Sequence, residues 1–155
     1  MNHTDDRAVI DADAFTVRRT IRISAPVATV WAAVTEPELI SRWFGEAVLD
    51  GRGVGAVGSL SWPDSGAHPL RIEAVDPPRS IAYRWHADDA GPGGARSLDD
   101  PGTTVFEFRL EADGDGTVLS VVETGFDGTT DPAANLESHR GGWDSELDEL
   151  VAELA

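Results

Sequence analysis

Apolar and polar residues alternate over most of this chain, and helical spacing replaces the alternation only near residues 27–43 and after residue 136. Phe15, Val17, Arg19, Ile21 and Ile23 share one side of a first strand, with Thr16, Arg18, Thr20 and Arg22 on the other. Ser24-Ala25-Pro26 ends it, with Ser24 placed to cap a helix whose first turn tolerates Pro26. Val27, Val30, Trp31 and Val34 form that helix's apolar stripe, and Pro37 opens a second short helix over 38–43. Segments 47–49, 57–62, 69–75, 80–87, 103–111 and 118–124 then read as six strands, separated by turns rich in Gly, Pro and Asp. The last segment, 136–154, places Leu136, Trp143, Leu147, Leu150, Val151 and Leu154 on one helical face.

Connections this short join antiparallel neighbours, and no helix-length crossover is present for a parallel sheet. The expected fold is α+β: a curved seven-stranded antiparallel sheet wrapped around a long C-terminal helix, with two short helices between strands 1 and 2. Residues 13–155 form one domain, and residues 1–12, polar and without periodicity, form a flexible tail.

Alternation assigns faces. Leu60 and Trp62 share a side, as do Ile81, Tyr83 and Trp85, then Phe106, Phe108 and Leu110, then Leu119, Val121 and Glu123. With these sides turned toward the terminal helix, most of the aromatic residues converge on one volume. Glu123 is the polar exception on that face, and His139 lies one turn before Trp143. A carboxylate among apolar neighbours is expected to have its pKa raised by desolvation, which makes this pair the candidate for acid–base chemistry.

The net charge of −16 is uneven, with 10 Arg against 13 acids in residues 1–98 and 2 Arg against 15 acids in residues 99–155. Such a field repels phosphate backbones and anionic lipid, so neither nucleic acid nor membrane insertion is expected. The start carries no secretion pattern, and no stretch reaches the roughly 20 apolar residues of a membrane span, so a cytoplasmic protein is expected. Cysteine is absent, and all twelve basic residues are Arg, which removes thiol and Schiff-base chemistry.

Other motifs resolve into turns. Gly53 to Gly58 matches G-x-G-x-x-G, with Glu73 near the distance of a ribose-binding acid, but Ser59-Leu60-Ser61-Trp62-Pro63 is no phosphate-binding helix, and a glycine-rich hairpin is expected. Asp113-Gly114-Asp115-Gly116 lacks the later ligands of a calcium loop and reads as a tight turn. Asn2-His3-Thr4 fits a glycosylation acceptor, without a secretion signal to make it one. The four histidines have no metal-ligand spacing, and neither a metal nor a cofactor is expected.

Several phrases, taken in order, resemble a known family: Ala25-Pro26 through Val30-Trp31; Pro37-Glu38-Leu39 with Trp43-Phe44; Asp76-Pro77-Pro78-Arg79 with Tyr83 and Trp85; Gly116-Thr117 and Leu119 with Gly125-Phe126; and Gly142-Trp143 with Leu147 and Leu150. Their joint order is similar to the START/polyketide-cyclase-like (SRPBCC, helix-grip) superfamily, in the branch of the activator of heat-shock ATPase homologues, the AHSA type. The resemblance implies a sheet gripping the terminal helix over a cavity that often accepts an apolar small molecule. Members include lipid carriers, cyclases, hormone receptors, cochaperones and many stand-alone bacterial proteins. The eukaryotic cochaperone of this branch carries a further N-terminal domain where this chain has about a dozen polar residues, which places that role behind ligand binding.

The leading expectation is therefore a non-enzymatic protein that binds a small, largely apolar ligand between sheet and helix. Trp43, Phe44, Trp62, Tyr83, Trp85, Phe106, Phe108 and Trp143 would supply its wall, and Glu123 and His139 the orienting polar contacts. A cyclase, dehydratase or hydrolase using the same cavity is the alternative, with Glu123 or His139 moving the proton. A stress-related chaperone-interaction module is the third. Gly141-Gly142, interrupting the helical stripe, would let the helix approach the sheet or leave room beneath it, with 139–143 as the part that meets a ligand.

Overall fold

A computed structural model describes residues 7–86, 97–99 and 101–155. The Asn2-His3-Thr4 triplet, the first half of the expected tail and most of the stretch between residues 87 and 100 lie outside the described residues. In chain order the elements are β1 (Val9–Asp11), β2 (Thr16–Ile23), α1 (Val27–Thr35), α2 (Pro37–Ile40), β3 (Glu46–Leu49), β4 (Val57–Trp62), β5 (Gly66–Asp76), β6 (Ser80–His86), β7 (Thr103–Asp113), β8 (Gly116–Thr124) and α3 (Pro132–Leu154). The strands form one antiparallel sheet in the order β1-β2-β8-β7-β6-β5-β4-β3. The first and last long strands of the chain thus meet near one edge of the sheet, where β2 pairs with β8 from Val17 opposite Glu123 to Ile23 opposite Thr117.

Eight strands stand where seven were expected. Val9–Asp11 pairs with β2 although two of its three residues are exposed, and so leaves no alternation to read. What holds it is a contact at long range: the buried Ala8 donates its N–H to Asp144 of α3 at 2.6 Å. The first helix also starts differently. Pro26, not Ser24, occupies the cap position, and its carbonyl accepts from the N–H groups of Thr29 and Val30. Helix α2 ends at Ile40, short of the expected Trp43. Gly53 to Gly58 runs from a turn into β4, as a hairpin should, and Asp113 to Gly116 closes a tight turn between β7 and β8.

Most inward residues of β2, β4, β6, β7 and β8 are buried, from Val17 and Leu60 to Phe106 and Leu119, with Trp62 and Trp85 half-buried, and Leu136, Trp143, Leu147 and Leu150 of α3 close over them. Val151, expected on that face, is exposed instead. One inward residue is a cation. Arg19 of β2 is almost fully buried, donates to the carbonyls of Trp143 and Asp144, and binds the Asp148 carboxylate at 2.7 Å. Asp144 also accepts from Arg140 and lies 3.7 Å from Arg19 Nε, so the centre of α3 is fastened to β1 and β2 by charged hydrogen bonds as well as by apolar packing.

Candidate functional site

Glu123 stands near the end of β8, on the inward face that Leu119 and Val121 also occupy, and is wholly buried. Its carboxylate accepts hydrogen bonds from four side chains. Oε1 accepts from His139 Nδ1 and Trp143 Nε1, each at 2.8 Å. Oε2 accepts from Trp85 Nε1 at 2.8 Å and from the Thr104 hydroxyl. The donors come from β6, β7 and α3, and a two-residue period or a helical turn places each of them. Burial pushes the Glu123 carboxyl up, but the charge and hydrogen bond of His139, with the bonds from Thr104 and Trp85, outweigh it and hold the group below its ordinary 4.5. The expected direction is thus reversed. A desolvated carboxylate without donors would take up a proton, whereas one with two donors on each oxygen keeps its charge.

Gly125, just after β8, has a φ of 100°, a left-handed conformation that leads into a 3-10 turn over Phe126–Gly128. That turn buries Phe126 with its ring edge-on to His139 at 5.1 Å, while Trp85 meets the same imidazole edge-on at 5.7 Å. At the start of α3, Asp131 accepts from the Ala134 N–H. The imidazole is therefore fixed by two rings and a carboxylate.

Above this network a cleft of about 470 Å³ opens between α3 and the strands β4 to β6. Phe44, Trp62, Trp85, His139 and Trp143, five of the ten residues expected at a ligand site, line it, and Glu123 lies behind Trp85 and Trp143. The other four, Trp43, Tyr83, Phe106 and Phe108, surround a remnant of about 10 Å³ in the packed core. Trp43 and Tyr83 are anchored there by their polar ends. Trp43 Nε1 donates to the Ala33 carbonyl and Tyr83 Oη to the Val34 carbonyl, which satisfies acceptors left over at the end of α1. Trp62 Nε1 donates to the Phe44 carbonyl, which sets its ring across the cleft wall with Phe44 edge-on at 5.6 Å.

The family described as Activator of Hsp90 ATPase homolog 1-like protein (AHSA1) matches residues 24–155. The chain belongs to this family. Among solved structures, the AHSA1-like chain is similar to CalU16 from Micromonospora echinospora, at 28% identity and TM-score 0.68 over 90% of this chain and 76% of that one. MLL2253 from Mesorhizobium loti is 25% identical with TM-score 0.72, covering 88% and 94%. DynU16, titled a putative protein in the dynemicin biosynthetic locus, shares the fold at 24% identity and TM-score 0.70, with 90% of this chain and 46% of that one covered. No curated protein matches the chain.

Sequence reasoning missed several residues of this AHSA1-like cleft. Thr104 was legible in principle, since it precedes Phe106, Phe108 and Leu110 on the inward side of β7 and is itself fully buried. Ser65, His68 and His86 enter from the β4–β5 hairpin and the end of β6, and Glu146 from the side of α3 that carries polar residues. Burial, then the charge of Glu149, pushes the Glu146 carboxyl up to about 7. Gly142 lines the cleft, and a Cβ there would meet nothing within 4 Å. No cluster of side chains suited to a metal ion occurs among the described residues, and none of their helices is long and apolar enough to cross a membrane.

Proposed function

We propose that this chain binds a small, planar, largely apolar molecule in the cleft between the sheet and α3. The observation that carries the reading is the cleft itself: about 470 Å³, a size suited to a small ligand, walled by Phe44, Trp62, Trp85 and Trp143. Hydrogen bonds hold three of those rings by their indole N–H groups, so the apolar wall is built before any ligand arrives. Glu123 acts from behind it, keeping Trp85 and Trp143 in place. Gly142→Leu tests this, because the added side chain enters open space at the cleft wall. Native mass spectrometry of parent and variant, each purified from its own host, should show a co-purifying small molecule on the parent and none on a folded variant. A compound retained equally by both would move the binding site elsewhere.

A second reading, an enzyme of cyclase, dehydratase or hydrolase type, rests on the 2.8 Å bond between Glu123 Oε1 and His139 Nδ1 at the cleft edge. An ionised carboxylate accepts only, so Nδ1 carries the hydrogen and Nε2 is the nitrogen that exchanges protons. His139→Gln should then abolish conversion of the bound compound while leaving its binding intact. Conversion that survives the substitution would remove the imidazole from the chemistry.

A further inference from the structure

The lining of the cleft carries information about the charge of its occupant. Among the described residues it contains aromatic rings, three histidines and the Glu146 carboxylate, and neither arginine nor lysine. This is so although the chain holds twelve arginines, and although Arg19 is buried under α3 within a residue of Trp143. That guanidinium is spent on the Trp143 and Asp144 carbonyls and on Asp148. His86 adds a second signal. It lines the cleft, is buried, and donates through Nε2 to the Ser97 carbonyl at 2.6 Å, which leaves Nδ1 as its acceptor. That Nδ1 has no hydrogen-bond partner among the described residues. His139 is committed to the Glu123 carboxylate, so π faces beside the Glu146 carboxylate suit a ligand that carries positive charge, because the faces of Trp62, Trp85 and Trp143 attract a cation and the carboxylate pairs with it. An anionic ligand would meet the same surfaces without a counter-charge, inside the field of a protein of net charge −16.

Resting on the binding role proposed above, we propose that the cleft selects a protonated amine carried on a planar ring system, with Glu146 as its counter-charge, and rejects the matching carboxylate. Glu146 faces Trp62 across the cleft and Glu149 along its own helix, and His68, His86 and His139 are the other titratable groups of the described lining. Its raised pKa makes pH 8 the condition at which its charge is present.

Three probes on one ring decide the matter: 1-naphthylmethylamine, 1-naphthalenemethanol and 1-naphthoate, titrated calorimetrically into the full chain at pH 8 and 150 mM salt. The amine should bind about tenfold more tightly than the alcohol, one cation–π or ion-pair contact being of that size, and the carboxylate more weakly than either. In Glu146→Gln the amine should fall to the level of the alcohol, while Glu149→Gln, which removes the same charge outside the cleft, should keep the margin. Equal binding of all three probes, or a margin lost equally in both variants, would overturn charge selection and leave the binding role standing. Absence of heat for every probe at millimolar concentration, with the chain folded by circular dichroism, would overturn both.

Discussion

Replacing Glu123 by Gln changes one atom and tests the centre of the molecule. The carboxylate accepts from two donors on each oxygen, and three of the four, the two indole N–H groups and the imidazole Nδ1–H, cannot turn round to accept. Only the Thr104 hydroxyl can, so the new NH₂ should settle on the Oε2 side, facing Thr104 and the N–H of Trp85. Two charge-assisted bonds become neutral ones and the Trp85 indole loses an acceptor, against the relief of no longer burying a charge. Bonds to charged groups contribute about 1.5–3 kcal/mol each and disrupted buried pairs cost about 3–5 kcal/mol, so a net loss of about 3 kcal/mol is expected. With a urea m-value of about 2 kcal/mol/M the unfolding midpoint, followed by tryptophan fluorescence, should fall by about 1.5 M at pH 7. The gap should also depend on acid in a definite direction. Folded Glu123 titrates below the ordinary 4.5, so its contribution is complete above that pH and declines as pH falls through the lower folded value. Gln does not titrate, and parent and variant should converge in acid. A midpoint within about 0.3 M of the parent at pH 7 would show that the four donors do not depend on a charged acceptor, and would refute the argument.

Arg19→Met keeps the apolar stem but removes the bonds to Trp143, Asp144 and Asp148, and should cost about 2 kcal/mol in chemical unfolding and alter the near-ultraviolet circular dichroism of Trp143; an unchanged spectrum would mean that apolar packing alone sets the helix. Glu146→Gln should behave oppositely to the change at Glu123. The folded group titrates near 7 against 4.5 when exposed, so the parent loses stability as pH rises from 4.5 through 7, and the variant should gain on the parent in melting temperature between pH 4 and pH 8. Gly58→Ala should cost about 2 kcal/mol or more, since the new Cβ would lie 1.7 Å from the Val48 carbonyl oxygen across the β3–β4 pair; amide exchange in β3 should rise, and unchanged protection there would contradict the close approach.

Most strands were legible because one of their faces is buried and the other is not, which writes a period of two into the sequence. β1 was not, because its hold comes from Ala8 N–H and a helix residue 136 positions away. The inward direction of Glu123 was also legible, from Leu119 and Val121 before it. Its charge state was not, because the donors that decide it sit on three elements whose approach no local pattern records. The aromatic wall shows the same limit. Tyr83 and Trp85 share a face two residues apart, so alternation treats them alike, yet one ends at the Val34 carbonyl in the core and the other at Glu123 beside the cleft. Period gives the side of a strand, and depth along it depends on what the neighbouring helix places there. For α3, the stripe gave Leu136, Trp143, Leu147 and Leu150 correctly but also Val151, since the curvature of a sheet decides where a helical face runs out.

The pairing of β2 with β8 has a consequence for the order in which the protein can be made. A ribosome releases Thr16–Ile23 early, but its partner strand follows a hundred residues later, and Arg19 must wait still longer for Trp143 and Asp144. β3 to β7 can zip together as successive hairpins during synthesis, while β2 stays unjoined to them until β8, Gly116–Thr124, emerges. For that interval Val17, Ile21, Phe106 and Phe108 lack α3 over them, and a nascent chain presents part of its future core to whatever else is in the cell.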